Sequence, residues 1–312
     1  MLRLLALVLA VATTAAQAQD ATRTAAIEAA WRGWLEGKRV GASSIAISYD
    51  GVIVAEAGRG MTARDPATLA SLSKAITAAC LRQAVEAGHL SYDDPISDYI
   101  ATDIPANVGQ LVTHSAGLSG DSTQRLMWDW VNDPTPRHTD VAEAALAKPP
   151  GPQTAYRYSN DNYAAVGHLI ESAIGQPYTD YCTDTVTAPL KITSPPMSPR
   201  YGGFTAWGGW QMSAYDYLRL VEAHLRDHDP RATPHADVGG GARYGMGTLF
   251  FQAQGQTIYW HLGLLCFGSI DGAGAYFALV GDGYGVAVTF EGCAGEDALT
   301  ELDQALLTAI IR

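Results

Sequence analysis

The sequence predicts an α+β fold, with an antiparallel sheet flanked by helices and built from both termini, plus a helical insertion subdomain. Three observations carry this. Stretches with strand character lie near the start of the chain and return late in it. The middle is rich in short helical patterns broken by Pro and Gly. No internal repeat or low-complexity tract interrupts the 312 residues.

In chain order, Arg3 precedes an apolar run from Leu4 to Ala12 and small residues ending Ala16-Gln17-Ala18. A basic start, a short apolar stretch and an A-x-A site form the pattern of a cleaved export signal over 1–18. The run is too short to span a bilayer. The expectation is therefore a periplasmic or extracellular protein with one domain over 19–312. Its α/β part is expected at about 19–91 and 226–312, and its mostly helical part at about 92–225. Ala21 to Glu36 has helical spacing, with Ile27, Trp31, Trp34 and Leu35 on one side and Gly37 as a stop. Two strand-like runs, Ser44–Tyr49 and Val52–Ala55, flank Asp50-Gly51, a tight-hairpin signal. Ser71 to Ala87 reads as a long apolar helix closed by Gly88. Strands are expected at Thr257–Leu265, Ala275–Val280 and Gly285–Phe290, then a terminal helix from Asp297 to Ile311.

Composition narrows the function. Twenty basic against 32 acidic side chains give a net charge of −12, and 47% of residues are hydrophobic. A disordered chain is excluded, and no Lys/Arg-rich run offers a footprint for nucleic acid. No transmembrane-length stretch follows the signal. The cysteines (Cys80, Cys182, Cys266, Cys293) lack C-x-x-C spacing, and neither metal nor cofactor is expected. Export permits disulfides. Cys80 equally reads as a free thiol buried in its helix, while Cys266 and Cys293 follow two strands that a meander would end at one edge. Gly239-Gly240-Gly241 lacks the strand–turn–helix setting of a nucleotide loop and reads as a turn.

Only four lysines occur, and Lys74 stands three residues after Ser71 at the head of the apolar helix. That spacing places the two side chains on one face. A hydroxyl needs a neighbouring base to become a good nucleophile, and burial disfavours the charged form of a lysine, making it a proton acceptor. The helix start also offers the Ser71 amide to a developing oxyanion.

Further along come Tyr158-Ser159-Asn160 and His261-Leu262-Gly263. Ser-x-x-Lys, Tyr-Ser-Asn and His-x-Gly, in that order, resemble the penicillin-recognising serine hydrolases, specifically the branch of class C β-lactamases, D,D-peptidases and esterases. Leu111-Val112-Thr113-His114-Ser115-Ala116-Gly117-Leu118, the stretch from Gly88 to Pro95 and the approach from Pro150 to Asn160 add to the resemblance, which spans nearly the whole chain after the signal. It implies a β-lactamase/transpeptidase-like fold. Ser71 would be the acylated nucleophile and Lys74 its proton-relay partner. Tyr158 would act as general base and acid, its phenol lowered toward phenolate by Lys74. Asn160 would hold Lys74 or a substrate amide, and His261 and Gly263 would lie on the edge strand. The amides of Ser71 and Leu264 would form the oxyanion hole. A core role for His261 and a turn role for Asn160 remain open. His114 is expected to be structural, beneath the site. Trp207 and Trp210 suit a cleft wall or the core equally.

Leu262 stands where members that bind β-lactams or D-alanyl-D-alanine usually carry a Thr or Ser whose hydroxyl helps hold the substrate carboxylate. An apolar side chain cannot donate there, unless strand alternation points it away from the cleft. The reading is therefore a secreted serine hydrolase acting on a small ester, amide or peptide, with an esterase or amidase first. A D-alanyl-D-alanine carboxypeptidase or weak β-lactamase is the alternative, and a catalytically silent binding protein of the same fold is the alternative from another class.

Overall fold

The structure, a computed structural model, describes residues 21–118, 120–253, 255–268, 271–281 and 283–311. The expected export signal lies outside these residues. The strands are β1 (Ser43–Tyr49), β2 (Val52–Arg59), β3 (Ala67–Thr68), β4 (Gln211–Met212), β5 (Ala236–Gly239), β6 (Ala242–Gly245), β7 (Thr248–Ala253), β8 (Gln256–Cys266), β9 (Gly272–Leu279) and β10 (Tyr284–Glu291). The helices are α1 (21–35), α2 (Ser73–Glu86), α3 (Val108–Val112), α4 (Thr123–Leu126), α5 (His138–Leu146), α6 (Asn160–Ile174), α7 (Tyr178–Cys182), α8 (Thr205–Gly208), α9 (Ala214–Leu225) and α10 (Glu296–Ile311).

Eight strands form one antiparallel sheet in the order β2-β1-β10-β9-β8-β7-β6-β5, so the two ends of the chain meet where β1 pairs with β10. The Asp50-Gly51 hairpin forms as expected: both residues have positive φ (47° and 76°), which a tight two-residue turn requires. Strands β5 to β7 were not anticipated. They are short and joined by glycine turns, so they carry little periodicity.

Two apolar cores cover opposite faces of the sheet. On one, Trp31, Trp34 and Leu35 of α1 and Leu299, Leu302 and Leu306 of α10 pack on Ile45, Ile47, Val286, Val288 and Phe290. On the other, Ala46, Phe277, Leu279 and Ala287 meet α2, α9 and the helical middle of the chain. Burying each large side chain contributes roughly 1.5–3 kcal/mol. Cys80 is bonded to Cys182, tying α2 to α7, and so is not the free thiol its helix also suggested. Cys266 is bonded to Cys293, tying the end of β8 to the segment before α10.

The pairing of β8 shapes the cleft. Its first half pairs with β7 only as far as Trp260↔Leu249, whereas its pairing with β9 continues to Cys266. From His261 to Cys266 the strand therefore has a free edge on the β7 side. Side chains alternate across it. Tyr259, His261, Gly263 and Leu265 are buried, with Tyr259 and Leu265 in the core of the helical layer, while Trp260, Leu262 and Leu264 pack against the α1/α10 core.

Candidate active site

Ser71 does not sit in the long helix. It lies in a 3-10 turn, Ala70–Leu72, that leads into α2. In such a turn positions i and i+3 eclipse, so the expected juxtaposition survives: Lys74 Nζ lies 3.2 Å from Ser71 Oγ. The turn is entered through Ala70, a buried alanine at φ 49°, in the left-handed region that non-glycine residues seldom adopt. Glycine makes the surroundings fit. A Cβ at Gly263 would come within 2.6 Å of the Leu69 carbonyl and 3.0 Å of the Ser71 amide nitrogen, so only glycine lets β8 pass this close to the turn.

Lys74 is fully buried and donates to Asn160 Oδ1 and to the Trp207 carbonyl, both at 2.8 Å, besides facing Ser71. Burial pushes its ammonium down from 10.5 to about 7, and Asp121 opposes this only in part. Asn160 is the first residue of α6, capped by Ser159, whose hydroxyl accepts from the Asp161 amide at 3.1 Å. Its amide group is fixed at both ends: Nδ2 donates to Thr123 Oγ1 at 2.9 Å, and the backbone N–H donates to Asp121 Oδ2 at 3.1 Å. Thr123 in turn donates to Asp121 at 2.6 Å. Asn160 thus holds Lys74 and is no simple turn residue.

Tyr158 precedes this helix with its ring 40% exposed to the cleft and 4.9 Å from Lys74 Nζ. Its phenol is not lowered as expected. Burial among Tyr156, Tyr244 and His114 pushes it above its ordinary value, against a hydrogen bond with Ser71. His114 supports the tyrosine from beneath. Its carbonyl accepts from the Arg157 amide at 2.8 Å, its Nδ1 from the Ser159 amide at 3.3 Å, and its ring lies 4.6 Å from that of Tyr158. Burial, then Lys74, holds His114 well below the usual histidine range, so it is a neutral prop.

His261 is buried with its ring in the cleft wall. Nδ1 lies 2.7 Å from the Leu262 carbonyl and so carries the proton, which leaves Nε2 to accept from Tyr244 Oη at 3.4 Å. Burial, reinforced by Lys74, lowers it to about 3. It is at once a satisfied core histidine and part of the site. Gly263 stands beside the Ser71 amide, and Leu264 follows it on the free edge. The side chains of Leu262 and Leu264 lie on the α1/α10 face, which weakens the argument from the missing hydroxyl. The cleft nevertheless wraps round the free edge and touches both.

These groups line one cleft of about 650 Å³, bounded by Ser71, Tyr158, Asn160 and His261 and walled by Met127, Trp128, Leu249, Leu265 and Phe267. The two tryptophans divide. Trp207 lines the cleft and gives Lys74 its carbonyl, whereas Trp210 is core, donating from Nε1 to Tyr178 at 2.9 Å. Sequence reasoning missed the Trp207 carbonyl, the Asp121–Thr123 support and Tyr244. A backbone acceptor leaves no trace in residue identity; Asp121 and Thr123 follow just after the Leu111–Leu118 stretch but belong to none of its positions, and Tyr244 belongs to no motif. Chemically, the arrangement offers a hydroxyl beside an amine that is easily neutralised, a neutral phenol above them, and a backbone edge with room for an extended substrate.

The Beta-lactamase family profile matches residues 18–309. Penicillin-binding protein 4 of Amycolatopsis lactamdurans is 28% identical over 130 residues, covering 39% of this chain, which spans about a third (33%) of that relative's length. Among solved structures, the octameric penicillin-binding protein homologue from Pyrococcus abyssi superposes with a TM-score of 0.71 at 21% identity, covering 90% of this chain and 76% of its own. The D-amino acid amidase of Ochrobactrum anthropi SV3 gives 0.69 at 19%, covering 86% and 96%. These two likenesses concern the fold. The match over nearly the whole length, on a sheet built from both termini, places this chain in the β-lactamase family.

Proposed function

We propose that the protein is a serine hydrolase that works through an acyl-enzyme on an ester or amide, without metal or cofactor. The observation that carries this is the contact of Ser71 Oγ with a fully buried Lys74 poised near neutrality. Neutral Lys74 takes the Ser71 proton as Oγ attacks the substrate carbonyl. The amides of Ser71 and Leu264 hold the oxyanion. As the tetrahedral intermediate collapses, the Tyr158 phenol gives its proton to the leaving alcohol or amine and regains one from Lys74. Water then repeats the sequence on the acyl-enzyme, returning the acid and free Ser71. In this reading Lys74, in contact with Ser71 Oγ, is the base, and Tyr158, at the cleft surface, is the acid.

Export to an oxidising compartment is part of the same reading, supported by the paired cysteines. An esterase or amidase is preferred to a carboxypeptidase or β-lactamase because Met127, Trp128, Leu249, Leu265 and Phe267 form an apolar part of the cleft wall and His261 is neutral, which leaves nothing cationic on the edge strand for a carboxylate. A panel of a neutral nitrophenyl ester, amino-acid amides and a penicillin tests it. Turnover of ester or amide that disappears in Ser71→Ala supports the proposal. Turnover retained by Ser71→Ala refutes the nucleophile, and rapid penicillin hydrolysis overturns the preference for esters and amides.

A further inference from the structure

Among the described residues lining the cleft, Glu296 alone carries a formal charge; the others are neutral polar, aliphatic or aromatic. Lys74 lies beneath the surface, engaged by Asn160 and Trp207, and His261 is held neutral by burial. Glu296 opens α10, is exposed, and has no ion-pair partner among the described residues. The segment that leads into it is tied to the cleft. Cys293, three residues earlier, is bonded to Cys266, which lines the same cleft at the end of the free edge. Two aromatic rings line the same cleft: Trp128, 57% exposed, meets Phe267 edge-on at 5.2 Å between centroids. Aromatic faces attract cations, as does an unpaired carboxylate, and the chain's net charge of −12 attracts cations from a distance.

We propose that Glu296 is a specificity-determining residue that selects a substrate bearing an ammonium group, so that the preferred substrates are amides or esters of amino acids or short peptides with a free amine. The same carboxylate repels substrates whose recognised group is a carboxylate. This inference rests on the hydrolase reading above and deepens it.

The test compares kcat/KM at pH 7 for D- and L-phenylalanine p-nitroanilide with their N-acetyl forms, and for acetylthiocholine with an uncharged thioester of similar size. The expected result is a preference of about tenfold for the cationic member of a pair, an order of magnitude corresponding to 1.4 kcal/mol. That ratio falls to near one in Glu296→Gln and inverts in Glu296→Lys. Because each ratio is internal to one preparation, altered folding does not mimic the effect. Preference in the anilide pair places the ammonium on the acyl side, and preference in the thioester pair places it on the leaving group. Equal rates within both pairs, or a preference that survives Glu296→Gln, overturns the assignment of Glu296 alone. Failure of all these substrates together with the neutral nitrophenyl ester overturns the hydrolase reading, and this inference with it.

Discussion

On the face of the sheet covered by α1 and α10, the contacts are those of an ordinary apolar core: Trp31, Trp34, Val286, Val288, Phe290, Leu302 and Leu306 interdigitate, and the indole nitrogens find partners in Ser43 and the Ala298 carbonyl. On the opposite face, Lys74, His114, Asn160 and His261 are buried beside the cleft. There, too, Ala70, His114 and Thr205 hold left-handed backbone at φ 49°, 58° and 35°, next to Ser71, Tyr158 and Trp207 respectively. Such conformations cost of order 1–3 kcal/mol each and persist where surrounding structure over-determines them. The difference teaches a division of labour. Both faces supply stability through burial, and the cleft face spends part of it on holding buried polar groups in fixed positions.

Substitutions can break this division. The largest effect is expected at Lys74. Replacing it by Met keeps the bulk and removes the base, so kcat/KM for a nitrophenyl ester should fall about 10²–10⁴-fold. In the parent protein kcat/KM should rise with pH through about 7, as Lys74 loses its proton, and the variant's residual activity should lack that limb. The same shift has a stability signature. A folded value of about 7 against an ordinary 10.5 means that the unfolded chain binds the extra proton between those pH values, so stability should grow as pH rises across that window. Lys74→Met should flatten this growth in denaturant titrations.

Next in size is Tyr158→Phe, expected to lower kcat about 10²-fold while the melting temperature holds, since the ring contacts with His114 and Tyr244 remain. Gly263→Ala should cost about 1–3 kcal/mol of stability and about tenfold in kcat/KM, because its Cβ presses on the Leu69 carbonyl and the Ser71 amide; a thermal scan with ester kinetics checks both. The smallest catalytic effect is expected on the far face. Trp34→Ala should lose about 3–5 kcal/mol of stability yet leave kcat of the folded fraction unchanged, read by active-site titration. A fall in kcat there would show that the two faces are coupled.

Much of the site was legible in the sequence because its chemistry resides in side chains at short, ordered spacings: Ser71 with Lys74, Tyr158 with Asn160, and His261 with Gly263. The strands at the two ends were legible because β1 and β10 carry short apolar β-formers, Ile45-Ala46-Ile47 and Val286-Ala287-Val288, and β1 ends at the Asp50-Gly51 turn signal. What escaped depended on three-dimensional environment. The direction of the Tyr158 shift is set by burial among rings from distant segments. The Trp207 carbonyl belongs to the backbone, and β5 to β7 are too short and glycine-rich to announce themselves. The partnership of Cys80 with Cys182 joins segments 102 residues apart and follows only from the packing of α2 on α7.

The central claim is that Ser71 is a nucleophile activated by a buried, neutral lysine. Its most direct test is to treat the protein with a fluorophosphonate at pH 8 and map the adduct by peptide mass spectrometry. A single covalent adduct on Ser71 is expected, formed far more slowly in Lys74→Met. No adduct, an adduct on another residue, or equal labelling rates in the two proteins would contradict it.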